Sequence, residues 1–312
     1  MVSQTSRFSS PLKLLLVFLT LISTALTTFY IFRFFTSPSE PKSDLSTLLS
    51  SPTPTPQESQ LPPLINFQPT VDAWANSISG NKSVIIYDLD LNQTVASLNP
   101  TKNFSTASLY KLFVVYEGYR RIENDTWQPN DRIAGHTRLQ CLDLAIRESH
   151  SPCAEALWAE IGHSQLDHII ATDFQITNSK ISKLSSNAED ITKIMQLFYS
   201  HPDFSLETWI KIQDSMLFQP CTNNGMCRGC CNWRQGLPSG FSSNVLVYNK
   251  VGWDWGGKTW NIYHDSAIIE FPEAHRHFIV VVMTNQVSHT QIAQLGKSLE
   301  AVFLKNTSAS TP

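Results

Sequence analysis

Phe104-Ser105-Thr106-Ala107-Ser108-Leu109-Tyr110-Lys111-Leu112-Phe113-Val114-Val115 is the stretch that decides the reading of this 312-residue chain. Small and hydroxyl-bearing residues lead into an apolar run, the pattern of a helix start. Ser108 and Lys111 stand three apart, so on one helix face their side chains can meet. A serine hydroxyl is a weak nucleophile at neutral pH, and a lysine amine stripped of water can serve as its base. Ser108 as nucleophile and Lys111 as base is the chemistry read from this stretch. The spacing alone is weak, since about one Ser-x-x-Lys is expected by chance in a chain of this length. Ser10/Lys13, Ser39/Lys42 and Ser79/Lys82 share it. The first flanks an apolar span, the second lies among prolines, and the third straddles the turn signal Gly80-Asn81. Only Ser108/Lys111 opens an amphipathic helix.

Upstream, Val71 to Ser79 reads as a short helix. Ser83–Leu89 and Gln93–Leu98 read as two strands around the tight turn Asp90-Leu91-Asn92. Downstream, roughly Asp143 to Tyr199 is mainly helical, with apolar residues at helical spacing in Leu142–Arg147, Ala154–Ile161 and Ala188–Phe198. A polar, Cys-rich segment follows, from Gln219 to Asn232. Strands return at Val245–Lys250, Trp260–Phe271 and Phe278–Met283, and a helix from about Gln291 to Leu304 closes the chain. Strands at both ends enclosing a helical insertion predict a mixed α/β (α+β) fold. Its antiparallel sheet carries the terminal helices on one face and a separate all-α lobe on the other. No internal repeat is visible.

Composition narrows the class. A net charge of −3 and a 42% hydrophobic content suit one sizeable domain or two lobes, and give no reason to expect nucleic acid as a partner. Leu14 to Phe32 is uncharged and long enough to cross a bilayer, with Lys13 before it and Arg33 after it. It is too long for an ordinary cleaved signal and lacks a clean small-x-small site, so it reads as an uncleaved signal anchor. A cleaved signal peptide and a buried helix are the alternatives. Arg7 and Lys13 favour a cytoplasmic N-terminus. The organisation expected is residues 1–13 cytoplasmic, 14–33 transmembrane, 34–65 a Pro/Ser/Thr-rich spacer, 66–306 catalytic and 307–312 a tail. The catalytic part would then lie outside the cytoplasm on a single-pass membrane anchor.

In that compartment Cys141 and Cys153, which bracket two helices around Ser149, are candidates for a disulfide. Cys221, Cys227, Cys230 and Cys231 read as two local disulfides, with a four-Cys zinc knot as the alternative. Nine histidines show no ligand spacing on one helix, so no metal is assigned. Asn-x-Ser/Thr sites at Asn81, Asn92, Asn103, Asn124 and Asn306 matter only in a host that glycosylates.

Acyl transfer by a Ser–Lys pair also needs a proton route to the leaving nitrogen, a cation for an acidic substrate and donors for the oxyanion. Ser149-His150-Ser151 precedes Pro152 at a helix start, where a plain N-cap by Ser149 or Ser151 is the bland reading. Lys250-Val251-Gly252 ends a strand and leads into Trp253, and a glycine there lets backbone approach a substrate closely. A lysine on a solvated strand end is the bland alternative.

Together these elements resemble the serine β-lactamase and penicillin-binding protein superfamily, whose signature is Ser-x-x-Lys, Ser-Asp-Asn and Lys-Thr-Gly. Ser108-Leu109-Tyr110-Lys111 matches the first in full, Ser149-His150-Ser151 only the first position of the second, and Lys250-Val251-Gly252 two of three in the last. Gly236-Leu237-Pro238 and the strand from His264 to Ile269 resemble the flanking segments of class A β-lactamases. The resemblance covers about Phe67 to Leu304 and implies a sheet lobe and an all-α lobe with the active site between them.

It also implies roles. Ser108 is acylated, Lys111 takes its proton, Ser149 relays a proton to the leaving nitrogen, and Lys250 holds the substrate carboxylate. The backbone N–H groups of Ser108 and Trp253 form the oxyanion hole, and Ser151, Val251, Gly252 and Trp253 line the substrate. No cofactor is implied. Ser151 in place of Asn and Val251 in place of Thr weaken the site without removing nucleophile or base. Class A enzymes clear the acyl-enzyme with a loop Glu, and between Gly162 and Asn187 this chain has none, only Asp167 and Asp173. The implied ligand is a β-lactam or a peptidoglycan stem peptide. The implied activity is β-lactam hydrolysis, with a D,D-carboxypeptidase or transpeptidase and a non-catalytic cell-wall-binding module as alternatives.

Overall fold

Val84, Ile85 and Ile86 alternate between two separate cores, and the architecture follows from that alternation. The computed structural model describes residues 62–219, 236–255 and 260–308, all within one compact unit, Gln60–Pro312. In chain order come α1 (Gln68–Ser77), β1 (Asn81–Asp88), β2 (Gln93–Leu98), β3 (Phe104–Ser105) and, after a short 3-10 turn at Ala107–Leu109, α2 (Tyr110–Glu123). The two-residue strands β4 (Arg132–Ile133) and β5 (His136–Thr137) precede α3 (Arg138–Arg147), α4 (Ser151–Ile161) and α5 (His163–Thr172). Then follow β6 (Ser185–Ser186), α6 (Ala188–Ser200), α7 (Leu206–Met216), β7 (Leu246–Trp255), β8 (Trp260–Phe271), β9 (Arg276–Asn285) and α8 (His289–Ser308).

The main sheet is antiparallel in the order β2-β1-β9-β8-β7. Chain-terminal strands thus sit beside each other at its centre, which is why the helical middle of the sequence forms one insertion. One face packs on α1 and α8 through Val84, Ile86, Val280, Val282, Ile292 and Phe303. The other packs on the helical lobe through Ile85, Ile279, Val281 and Ile268. Each such aliphatic side chain contributes about 1.5–3 kcal/mol by leaving water, so a sheet buried on both faces explains the unbroken apolar run of β9.

Local signals set the ends. Asn187 caps α6 by accepting from the Asp190 N–H at 2.9 Å, and Glu189 and Asp190 in the first turn complement the helix dipole. Pro69 and Pro152 lie in the first turns of α1 and α4.

Several boundaries differ from the sequence reading. The first helix starts at Gln68 rather than Val71, since Phe67 and Val71 share the core beneath it. The last helix runs to Ser308, past the expected start of the tail at 307. Helix α7 was not foreseen. Ser205 caps it, and its apolar positions Trp209, Ile212 and Met216 complete the helical-lobe core. Among the described residues no helix is long and apolar enough to cross a membrane. Leu14–Phe32, the spacer up to residue 61 and Cys221–Cys231 lie outside the described residues, while Ile65, expected in the spacer, is buried in the core.

Candidate active site

The structure brings three chain-distant elements together where β7 meets the helical lobe. The 3-10 turn carrying Ser108 runs into α2 carrying Lys111. The α3–α4 turn supplies Ser149 and Ser151, and β7 supplies Lys250. The expected uniform helix over Ser108 is therefore a 3-10 turn that becomes α-helical at Tyr110. Ser108 and Lys111 remain one turn apart.

Ser149 sits at the centre. Its Oγ receives hydrogen bonds from Lys250 Nζ at 2.9 Å and from Lys111 Nζ at 3.3 Å. Lys111 Nζ also donates to the Ser149 carbonyl and to Ser151 Oγ, the latter at 3.1 Å. Lys250 Nζ donates to the Val251 carbonyl at 2.7 Å. Both lysines are almost fully buried, at 0% and 1% exposure, which is rare for this residue type and excludes the solvated strand end. Burial pushes the Lys111 amine down to about 8, with the nearby Glu155 charge partly opposing the shift. The described hydrogen bonds of Lys111 run to the Ser149 turn rather than to Ser108. Catalytic hydrogen bonds commonly tighten only when substrate is bound.

Two strained backbones aim the hydroxyls. Ala107, immediately before Ser108, has φ 43°, and Ser149 has φ 53°. A left-handed conformation at a residue with a Cβ costs on the order of 1–3 kcal/mol, and it persists here because both turns are held from outside. Thr106 N–H donates to the Leu184 carbonyl at 2.7 Å, and β3 pairs with β6. Cys141 and Cys153 form a disulfide that closes the α3–α4 hairpin around Ser149, with Cα atoms 4.9 Å apart. His150, not Ser149 or Ser151, caps α4, its Nδ1 accepting from the Cys153 N–H at 3.3 Å. Both serine hydroxyls are thus released for the lysines.

Gly252 has no Cβ because none fits. A Cβ there would lie 2.7 Å from the Thr106 carbonyl oxygen and 3.2 Å from the Leu109 nitrogen. This packs β7 backbone directly against the Ser108 turn. β7 is the last strand in the order of the main sheet, and Phe218 N–H donates to the Val247 carbonyl near its start at 2.8 Å. Gly252→Ala is expected to push β7 off this turn and reduce reaction at Ser108 at least tenfold while the fold persists. Labelling rate with far-ultraviolet circular dichroism as control checks it.

Val251 departs from expectation. Its side chain is buried in the core shared with α8, on the opposite sheet face from Lys250, so only its backbone remains available to a ligand. Trp253 packs half-buried on that same core. Ser151 is exposed at the rim and bound to Lys111, as described.

His264 is a residue whose part the sequence reading missed. Fully buried, it accepts from the Thr284 N–H at Nδ1 (2.9 Å) and donates from Nε2 to the Ser105 carbonyl (2.7 Å). Burial pushes its pKa down to about 4, so it stays neutral and ties the sheet to the segment leading into Ser108. Nothing in sequence spacing distinguishes such a histidine from any core one. The loop carboxylates are engaged elsewhere. Asp167 accepts from the Ser182 N–H at 3.1 Å and Asp173 pairs with Arg120 at 2.7 Å. Buried Asp190, in the first turn of α6, accepts from Ser179 at 2.9 Å through one oxygen, while its other oxygen has no hydrogen-bond partner. Among the described residues no three His, Cys, Asp or Glu side chains cluster as metal ligands.

The profile of the beta-lactamase enzyme family matches residues 66–303, which spans the sheet, the helical lobe and all three elements of the site. The chain belongs to the beta-lactamase enzyme family. Solved structures agree in fold. A structure titled "Structure of PBP-A" superposes with a TM-score of 0.64 at 15% identity, covering 79% of this chain and 100% of the other. A beta lactamase from Xanthomonas campestris gives 0.65 at 11%, covering 77% and 99%. A class A beta-lactamase representative from Bacteroides cellulosilyticus gives 0.62 at 14%, covering 76% and 96%. Identities this low speak to the fold. No curated protein matches. The beta-lactamase family architecture accounts for the two cores on either side of one sheet.

Proposed function

We propose that this chain is a serine hydrolase that forms an acyl-enzyme on Ser108 with β-lactams or related D-Ala-D-Ala amides. The observation that carries the reading is the Ser149 hydroxyl held between two buried amines, 3.3 Å from Lys111 and 2.9 Å from Lys250. Lys111, its proton affinity lowered by burial, takes the Ser108 proton as Oγ attacks the carbonyl carbon. The Ser108 and Trp253 N–H groups receive the developing oxyanion. The proton passes through Ser149 Oγ to the leaving nitrogen, whose bond to carbon breaks. Lys250 holds the substrate's carboxylate and, as a buried cation, favours its docking.

The shortage of a free loop carboxylate favours a second reading, a penicillin-binding type D,D-carboxypeptidase or transpeptidase that is acylated by β-lactams and releases them slowly. Either activity fits placement outside the cytoplasm behind the apolar segment Leu14–Phe32. A time course with a labelled penicillin on the full chain separates the readings. Rapid loss of label with ring-opened product marks a β-lactamase, and a lasting adduct marks the penicillin-binding type. Absence of any adduct leaves a non-catalytic binding module and contradicts the proposal.

A further inference from the structure

An ester on Ser108 is cleared only if something deprotonates a water beside it, and α4 carries a carboxylate placed for that. Ser151, Glu155 and Trp158 stand at i, i+4 and i+7 of α4 and so share one face. Both flanking members touch the start of α2. Ser151 Oγ accepts from Lys111 Nζ at 3.1 Å, and the Trp158 ring lies 5.0 Å from the Tyr110 ring. Lys111 Nζ in turn lies 5.7 Å from the centre of the Tyr110 ring. Glu155 stands between these two contacts on the same face of α4. It is exposed to solvent, and among the described residues it has no hydrogen-bond or ion-pair partner. Its charge reaches the site. Burial lowers the proton affinity of Lys111 and raises that of Tyr110, and Glu155 is the charge that acts on both.

We infer that Glu155 is the general base for hydrolysis of the Ser108 ester, acting from α4 where the loop after α5 has no disengaged carboxylate. The inference rests on the reading of Ser108 as the acylated residue. The water oxygen bonds to the ester carbonyl carbon while one of its protons passes to the Glu155 carboxylate. The bond from that carbon to Ser108 Oγ then breaks, and Oγ recovers a proton from Glu155 by way of Lys111. The product leaves as a carboxylate, its acid proton going to solvent. Base, nucleophile and relay all return to their starting states. Solvent exposure of Glu155 supplies the water.

The test loads the full-length protein with a fluorescent penicillin, removes the excess and follows loss of label. Glu155→Gln is expected to acylate within about threefold of the wild-type rate and to lose label about 100-fold more slowly. Glu148→Gln, at the exposed end of α3 beside Ser149 and without charge effect on Lys111, is expected to behave as wild type. Glu155→Asp, which keeps the carboxylate, is expected to recover much of the lost rate of label loss. A merely structural role would show no recovery specific to the carboxylate. Equal label lifetimes in wild type and Glu155→Gln overturn the assignment to Glu155 and leave Ser108 acylation standing. Failure of the wild type to take label at all, when Ser108→Ala behaves the same, overturns both.

Discussion

Lys111→Ala is expected to lower the rate of Ser108 acylation about 10³-fold, with the fold retained. A positioned general base contributes on the order of 10²–10⁴ in rate, and the buried amine of Lys111 is the one base carried by the same turn as Ser108. Its pH dependence makes the claim specific. The amine acts only when neutral, and burial brings its pKa down to about 8. Below that value each unit of pH removes about nine-tenths of the neutral form. Acylation should therefore rise about tenfold per unit from pH 5 to 7 and level off above about 8. Stopped-flow labelling across that range measures it, and Lys111→Ala should flatten the limb. A flat wild-type profile would remove Lys111 from the role of base.

Lys250→Ala is expected to lower the second-order acylation rate by about 10²-fold or more for a penicillin, whose carboxylate it would meet, and far less for a neutral ester without one. An amine at 1% exposure that donates to Ser149 and to its own strand sits in low dielectric, where, when charged, it would attract an anion strongly. The comparison of the two substrates separates loss of that attraction from loss of structure, since misfolding would reduce both alike. Rates equal for both substrates in the variant would place the carboxylate elsewhere.

The fold was readable in the chain because its signals are local and periodic. The apolar runs of β1, β8 and β9, and the helical spacing in α4 and α6, carry their element types within a few residues. That β1 and β9 are neighbours followed from strands lying at both ends of one domain. Helix α7 escaped because it is short, with exposed Leu206 and Ile210 blurring its apolar stripe.

The site was legible as three motifs, but its geometry was not. Positive φ at Ala107 and Ser149 falls on residues that carry no such preference, since tertiary restraint imposes it. Val251 sits one residue from Lys250 yet on the opposite face, a consequence of strand alternation that a motif match does not register. His264 and Glu155 gain their places only when β8 and α4 are folded against the Ser108 turn. The burial of the two lysines depends on elements distant in the chain packing over them.

The measurement that bears most directly on the whole account is the site of covalent attachment. Full-length protein would be incubated with benzylpenicillin near pH 8, quenched in acid, weighed intact and digested for peptide mapping. The account predicts one penicillin per chain, attached at Ser108, and no mass gain in Ser108→Ala. Attachment at any other residue, or an unchanged mass in wild-type protein under conditions that load a known penicillin-binding protein, would contradict it.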